Sequence, residues 1–198
     1  TFFTGSDRYA VDRNWICGNF SQGDGAGISH FGLSRPLSGS IPNFIRNNWI
    51  LFNQNFNQAL NAHGGGIFIG GEPTIAGGLT AGSGRVTIDS NLIQGNHAGA
   101  GMGAGIRTQQ VSGLDVQANP RTRNSWYQIL ITNNMIADNV AGWAGGGISL
   151  MDTPRADIWN NTIVHNDSTS TVGNTFTPGN PNLSARQVAG LISQAHSP

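Results

Sequence analysis

Five times the chain repeats one phrase: an aliphatic residue, two spacers, Asn, one spacer, Ile, two spacers, Asn. The copies are Val11–Asn14–Ile16–Asn19, Ile45–Asn48–Ile50–Asn53, Ile88–Asn91–Ile93–Asn96, Ile131–Asn134–Ile136–Asn139 and Ile158–Asn161–Ile163–Asn166. After the first four comes a second phrase, Gly-x-Gly-Ile, at Gly25–Ile28, Gly64–Ile67, Gly103–Ile106 and Gly145–Ile148. A self-similar period of tens of residues, built from short apolar alternations and turns, means stacked coils rather than a closed globule. Apolar residues fall on alternate positions up to the first Asn, and an Ile follows two residues after it, which is strand periodicity. Asn tolerates the left-handed backbone of a sharp bend, and identical Asn residues stacked rung on rung can bond amide to amide. Asn14, Asn48, Asn91, Asn134 and Asn161 are therefore expected to form a structural ladder beside columns of inward Ile.

Each coil reads as three short strands: one before the first Asn, one between the two Asn residues and one opened by the glycines. The expected fold is all-β, a right-handed parallel β-helix of about five coils, roughly 20–25 Å tall at a strand spacing of about 4.8 Å. The whole chain, 1–198, reads as one domain. Regular coils run from about 9 to 166, an irregular excursion covers 167–189, and a last strand lies at 190–195, with Leu191 in the Ile column. Thr1–Arg8 is expected to complete or cap the first coil. The start at Thr1 and the stop at Pro198 read as a piece of a longer protein.

Composition narrows the function classes. Gly contributes 29 of 198 residues, too periodically for disorder and without the strict triplet of collagen. The formal net charge is zero and all ten basic residues are Arg, so nothing marks the chain for nucleic acid or an anionic membrane. No apolar run is long enough for a membrane span. The single cysteine, Cys17, excludes an internal disulfide. Low charge with abundant Asn and Gly fits an extracellular or cell-surface repeat domain.

The repeat resembles the right-handed parallel β-helix of the pectate-lyase-like superfamily over roughly Tyr9 to Asn166. Its Gly-Gly-x-Ile and x-x-Asn phrases are also similar to those of polymorphic outer-membrane proteins and autotransported adhesins, which favour Phe where this chain has Ile. The resemblance implies the fold, and a substrate groove along one face in the enzymes. It implies no single activity, because the architecture hosts lyases, hydrolases, adhesins and phage spikes. A calcium-dependent lyase of that superfamily would carry clustered Asp ligands and a basic proton abstractor. Here there is no Asp-Asp pair and no Lys, and only Arg107 stands near such a place.

Function is sought in unequal connections. The segments Ser29–Asn43, Phe68–Arg85 and Arg107–Gln128 are long, whereas Ser149–Ala156 is short. Stacking brings the three long loops to one edge, and long insertions on a rigid scaffold commonly carry function. In the third, Arg121, Arg123, Trp126 and Tyr127 suit stacking on a sugar or a peptide, although Trp126 and Tyr127 equally suit packing over the solenoid. A glycosidase needs two facing carboxyl groups; Glu72, Asp115 and Asp152 are the acids near this edge, and Arg107 with Asp152 falls on neighbouring coils. His63, His97 and Asp24 share the other set of turns, but their unequal spacing does not make a metal site. No cofactor or metal is expected. Three functions follow, in order of preference. The first is a non-catalytic rigid binding module for a polysaccharide or another surface protein. The second is a polysaccharide lyase or hydrolase. The third is a subunit stacked end to end through open coils, against β-rich neighbours or its own continuation.

Overall fold

The computed structural model describes residues 6–34, 43–57, 60–73 and 78–194, and within them the chain winds through five coils of parallel strands. The first sheet holds Ala10–Asp12, Asn43–Arg46, Val86–Asp89, Ile129–Thr132 and Ala156–Trp159. The second, between the two Asn residues of each coil, holds Trp15–Cys17, Trp49–Leu51, Leu92–Gln94, Met135–Ala137 and Thr162–Val164. A fourth sheet follows the glycines: Ile28–Phe31, Ile67–Gly70, Ile106–Gln109, Ile148–Met151 and Leu191–Gln194. The strands stack in parallel with their repeats in register, so Ile16, Ile50, Ile93, Ile136 and Ile163 form one column.

The expectation of three strands per coil is corrected to four. Between the second Asn and the glycines lies a third sheet of two-residue strands: Phe20–Ser21, Gln54–Asn55, His97–Ala98, Val140–Ala141 and Asp167–Ser168. Two residues are too few to show alternation, which is why this sheet leaves no periodic trace. The excursion after residue 167 is less irregular than expected. It contains an antiparallel pair, Phe176–Thr177 with Asn180–Ser184, before Leu191 pairs with Ile148. The cap expected from Thr1 and the end of the strand at residue 195 lie partly outside the described residues.

Inside the coil, Ile45, Ile50, Ile67, Ile88, Ile93, Ile106, Ile131 and Ile136 are fully buried. Each such side chain contributes on the order of 1.5–3 kcal/mol of transfer free energy. At the bends, the backbone N–H and Nδ2 of Asn48 both donate to Asn91 Oδ1, at 2.9 and 3.0 Å, and those of Asn91 donate to Asn134 Oδ1, both at 2.9 Å. Asn14 begins this ladder and Asn161 ends it. A second ladder runs through Asn19, Asn53, Asn96, Asn139 and Asn166. Each interior amide also donates to a carbonyl of the coil below, as Asn91 Nδ2 does to Ile45 O at 2.9 Å.

The bend itself is made one residue earlier than the sequence reading placed it. The residues before the first ladder, Arg13, Asn47, Ser90, Asn133 and Asn160, have φ between 53° and 58°. Those before the second, Gly18, Phe52, Gly95, Asp138 and His165, have φ between 51° and 68°. Left-handed backbone costs a non-Gly residue about 1–2 kcal/mol, so the ladder amide that follows holds a conformation its neighbour disfavours.

Candidate functional site

The third long connection is organised by its own polar groups. Its short helix, Leu114–Ala118, follows Gly113, and the Asp115 carboxylate accepts the backbone N–H groups of Gly113 and Tyr127, each at 2.7 Å. Arg85 and Arg155, each just before a strand of the first sheet, donate to the carbonyl of Asn124 at 2.8 and 2.9 Å. Leu114 N–H donates to Thr80 O at 2.9 Å, which ties this connection to the second one. A loop held at so many points is preorganised, which lowers the ordering entropy of any binding event.

Between this loop and the short connection lies a cleft of about 630 Å³, within the range of small-ligand sites. Leu79, Val116, Pro120 and Pro154 supply its apolar wall. Ser112, Gln117, Asp152, Thr153 and Gln194 supply its polar groups. The turn beneath is fixed: Val111 N–H donates to Asp152 O at 3.0 Å, and the Thr153 hydroxyl bonds that of Thr108 at 2.7 Å. Asp152 sits in the left-handed region at φ 48°. Ser112 is 8 % exposed, and its Oγ, like the buried Oε1 of nearby Gln110, has no hydrogen-bond partner among the described residues. Buried polar groups are ordinarily paired, so the Ser112 hydroxyl in the cleft wall invites a ligand. A second opening, of about 340 Å³, lies at the first coil and is lined by Tyr9, Val11, Ile28 and His30 among others.

The residues singled out from sequence are dispersed. Asp152 lines the cleft. Asp115 adjoins it, but both its carboxylate oxygens hold backbone N–H groups, so it is a staple of its loop rather than an acid facing a substrate. Glu72 is exposed and does not line the cleft. Arg121 and Arg123 are exposed and do not line the cleft. Trp126 donates through Nε1 to Asn119 O at 2.8 Å, and Tyr127 packs against the core.

Arg107 requires a correction. Its side chain leaves the Ile core as expected, yet it is 1 % exposed rather than open on a groove. Its guanidinium donates to Ser149 Oγ at 2.6 Å and to Gln109 Oε1 at 3.0 Å, and it lies against the sulfurs of Met102 and Met151. Burial lowers its pKa to about 10, opposed by the carboxylates of Asp24 and Asp152. Beside it runs a capping column that the sequence hid. The Asp24 carboxylate accepts His63 N–H at 2.6 Å, and His63 Nδ1 accepts Met102 N–H at 3.0 Å. Burial and the Arg107 charge push the His63 pKa down to about 3, which suits a ring nitrogen that must accept. Burial raises the Asp24 pKa.

What the sequence reading missed is the cleft's own wall: Ser112, Gln117, Thr153 and Gln194 carry no motif. The only available signal was their position on the third loop, the short fourth connection and the last strand. Among the described residues no cluster of three or more His, Cys, Asp or Glu side chains could hold a metal, and no helix is long and apolar enough to cross a membrane. No protein-family model matches the chain, and no significant match joins it to a curated protein or a solved structure.

Proposed function

We propose that the chain is a non-catalytic, rigid β-helix module of a secreted or cell-surface protein, holding an uncharged, hydroxyl-rich segment such as part of a polysaccharide in the cleft. The observation that carries this reading is the make-up of the cleft wall: hydroxyls, amides and aliphatic surface, with Asp152 as its one ionisable side chain. Such a wall recognises hydrogen-bond donors and acceptors rather than net charge. The buried Ser112 hydroxyl, without a hydrogen-bond partner among the described residues, can donate to or accept from a ligand hydroxyl. The resemblance of the repeat to the pectate-lyase-like superfamily and to adhesin passengers is in keeping with polysaccharide contact.

A lyase or hydrolase is the second reading, because Asp152 in an open cleft could serve as an acid or base. Glycoside hydrolysis asks for a second carboxyl facing it, and Asp115, beside the cleft, is engaged by its own loop. A glycan array followed by assays for new reducing ends and unsaturated products separates the two. The module predicts binding without turnover, with affinity reduced roughly tenfold or more in Ser112→Val and Gln117→Ala, at unchanged folding. Turnover that disappears in Asp152→Asn would establish the enzyme instead. No binding to any glycan would remove the ligand class.

A further inference from the structure

We infer that the rim of the third long connection is a second binding site, for a doubly charged tetrahedral oxyanion such as a phosphate group, free or esterified, held by the guanidinium groups of Arg85 and Arg155. A net charge of zero hides an uneven distribution. Arg85 and Arg155 converge on the segment 121–126, which itself carries Arg121 and Arg123, so four of the ten basic residues meet there. The strand register brings the first two together. They precede Val86 and Ala156, which flank Ile129 in the first sheet, so only Gln128 stands between them. Arg85 Nη2 and Arg155 Nη1 both donate to Asn124 O, at 2.8 and 2.9 Å. Two nitrogens on one acceptor lie within about 6 Å of each other, a separation at which like charges repel.

Holding the loop does not account for both charges. Arg155 Nη1 also reaches the carbonyls of Arg123 and Trp126, at 3.4 and 3.5 Å, so one guanidinium already anchors the turn. Each of the two commits a single nitrogen to the loop. Among the described residues no carboxylate pairs with either, and their other N–H groups have no acceptor. The acids of the neighbourhood are engaged elsewhere: Asp157 accepts Gln128 Nε2, and Asp115 accepts the N–H groups of Gly113 and Tyr127. Both arginines are half-buried, yet neither has a sealed, unpartnered nitrogen, so their free donors face solvent. Arg155 keeps its Nε and Nη2 edge, the two-pronged fork that grips an oxyanion. A dianion balances two fixed positive charges, whereas a carboxylate balances one. Both donors are pinned before a ligand arrives, which lowers the ordering entropy of binding. The inference does not depend on the cleft, which none of the four arginines lines.

Titration with inorganic phosphate at mildly alkaline pH, with ionic strength held constant by sodium chloride and backbone amide NMR shifts as the readout, tests the site. Saturable shifts are expected around Arg85, Asn124 and Arg155, with a Kd on the order of 1 mM or below. Acetate, carrying one charge, should bind at least about tenfold more weakly. Binding of glucose 6-phosphate as well identifies a site that accepts phosphate esters; binding of inorganic phosphate alone identifies one for the free anion. Arg85→Gln is the informative variant, because Arg155 still anchors the turn. It should lower phosphate affinity about tenfold or more, while the Tyr127 amide, bonded to Asp115, keeps its protection from hydrogen exchange. Arg186→Gln, exposed on a different connection, should bind like the unmodified chain. No saturable shift, shifts centred elsewhere, acetate binding as tightly as phosphate, or undiminished binding in Arg85→Gln overturns the inference.

Discussion

The second and fourth sheets carry the same inward pattern and meet opposite fates outside. On the second sheet, Trp15 is 69 % exposed and Trp49 45 %, their rings stacked 4.5 Å apart. On the fourth, Phe68 and Arg107 are each 1 % exposed, and Ser149 is fully buried. The difference comes from the connections. The second sheet is entered and left by single-residue bends that add no backbone above it. The glycine turn before the fourth sheet folds back over it instead: at Gly64, φ +65°, a Cβ would stand 2.6 Å from Ile67 O and 2.8 Å from Phe68 Cβ. The capping column of Asp24, His63 and Met102 then closes over Arg107. An outward residue on a β-helix is exposed by default and buried only where a turn or loop roofs it.

The ladder should prove the costliest feature to disturb. Asn91→Ala removes an acceptor and two side-chain donors from a buried bend: Asn48 N–H loses its Oδ1 acceptor, and Asn134 Oδ1 and Ile45 O each lose the bond from Nδ2, with an orphaned buried group costing about 1–3 kcal/mol. A loss of about 3–5 kcal/mol in denaturant unfolding is expected, and a loss below about 1 kcal/mol would deny the ladder its stabilising role. Next come the two faces themselves. Phe68→Ala, under its roof, should lose about 3–4 kcal/mol, whereas Trp49→Ala on the bare face should lose about 1 kcal/mol, mainly its ring stack. Equal losses would mean that the two faces are equally covered.

Acid should then loosen the roof. The His63 pKa is lower folded than unfolded, so its contribution is fully present above about 6.5 and is lost as pH falls toward about 3. The raised pKa of Asp24 has the opposite sign and offsets part of this loss. His63→Asn keeps an acceptor for Met102 N–H and removes the titration, so its denaturation midpoint should vary less between pH 6.5 and 3. An unchanged acid limb would place its origin elsewhere. The smallest effect is a gain. His165, exposed at φ 51°, relaxes on His165→Gly, and relief of left-handed strain outweighs the entropy of Gly by about 0.5–1 kcal/mol. Thermal unfolding would show it, and a loss of stability would mean that the side chain does more than tolerate the bend.

Much of the architecture was legible because it repeats. Asn14 through Asn161 and the Ile columns are spaced by the strand period itself, and each coil reports the same rule again. The two-residue third sheet was not legible, since Gln54–Asn55 or His97–Ala98 alone has no alternation to detect. The site was harder for a related reason. Asp115, Trp126 and Tyr127 are chemically suggestive residues that turned out to hold their own loop, while Ser112 and Gln117 carry no signal until the loop is folded over Asp152. Arg107 was correctly placed as outward, but its burial depends on Met102 and His63, which precede it by 5 and 44 positions.

By itself, then, the sequence determined the repeating frame of the coil: which residues face in and which Asn residues stack beside the bends, because these are local periodicities repeated against identical neighbours. Only the tertiary structure decided which outward residues meet solvent and where a cleft opens. Those depend on how irregular connections of unequal length fold across several coils, and no period in the chain encodes that.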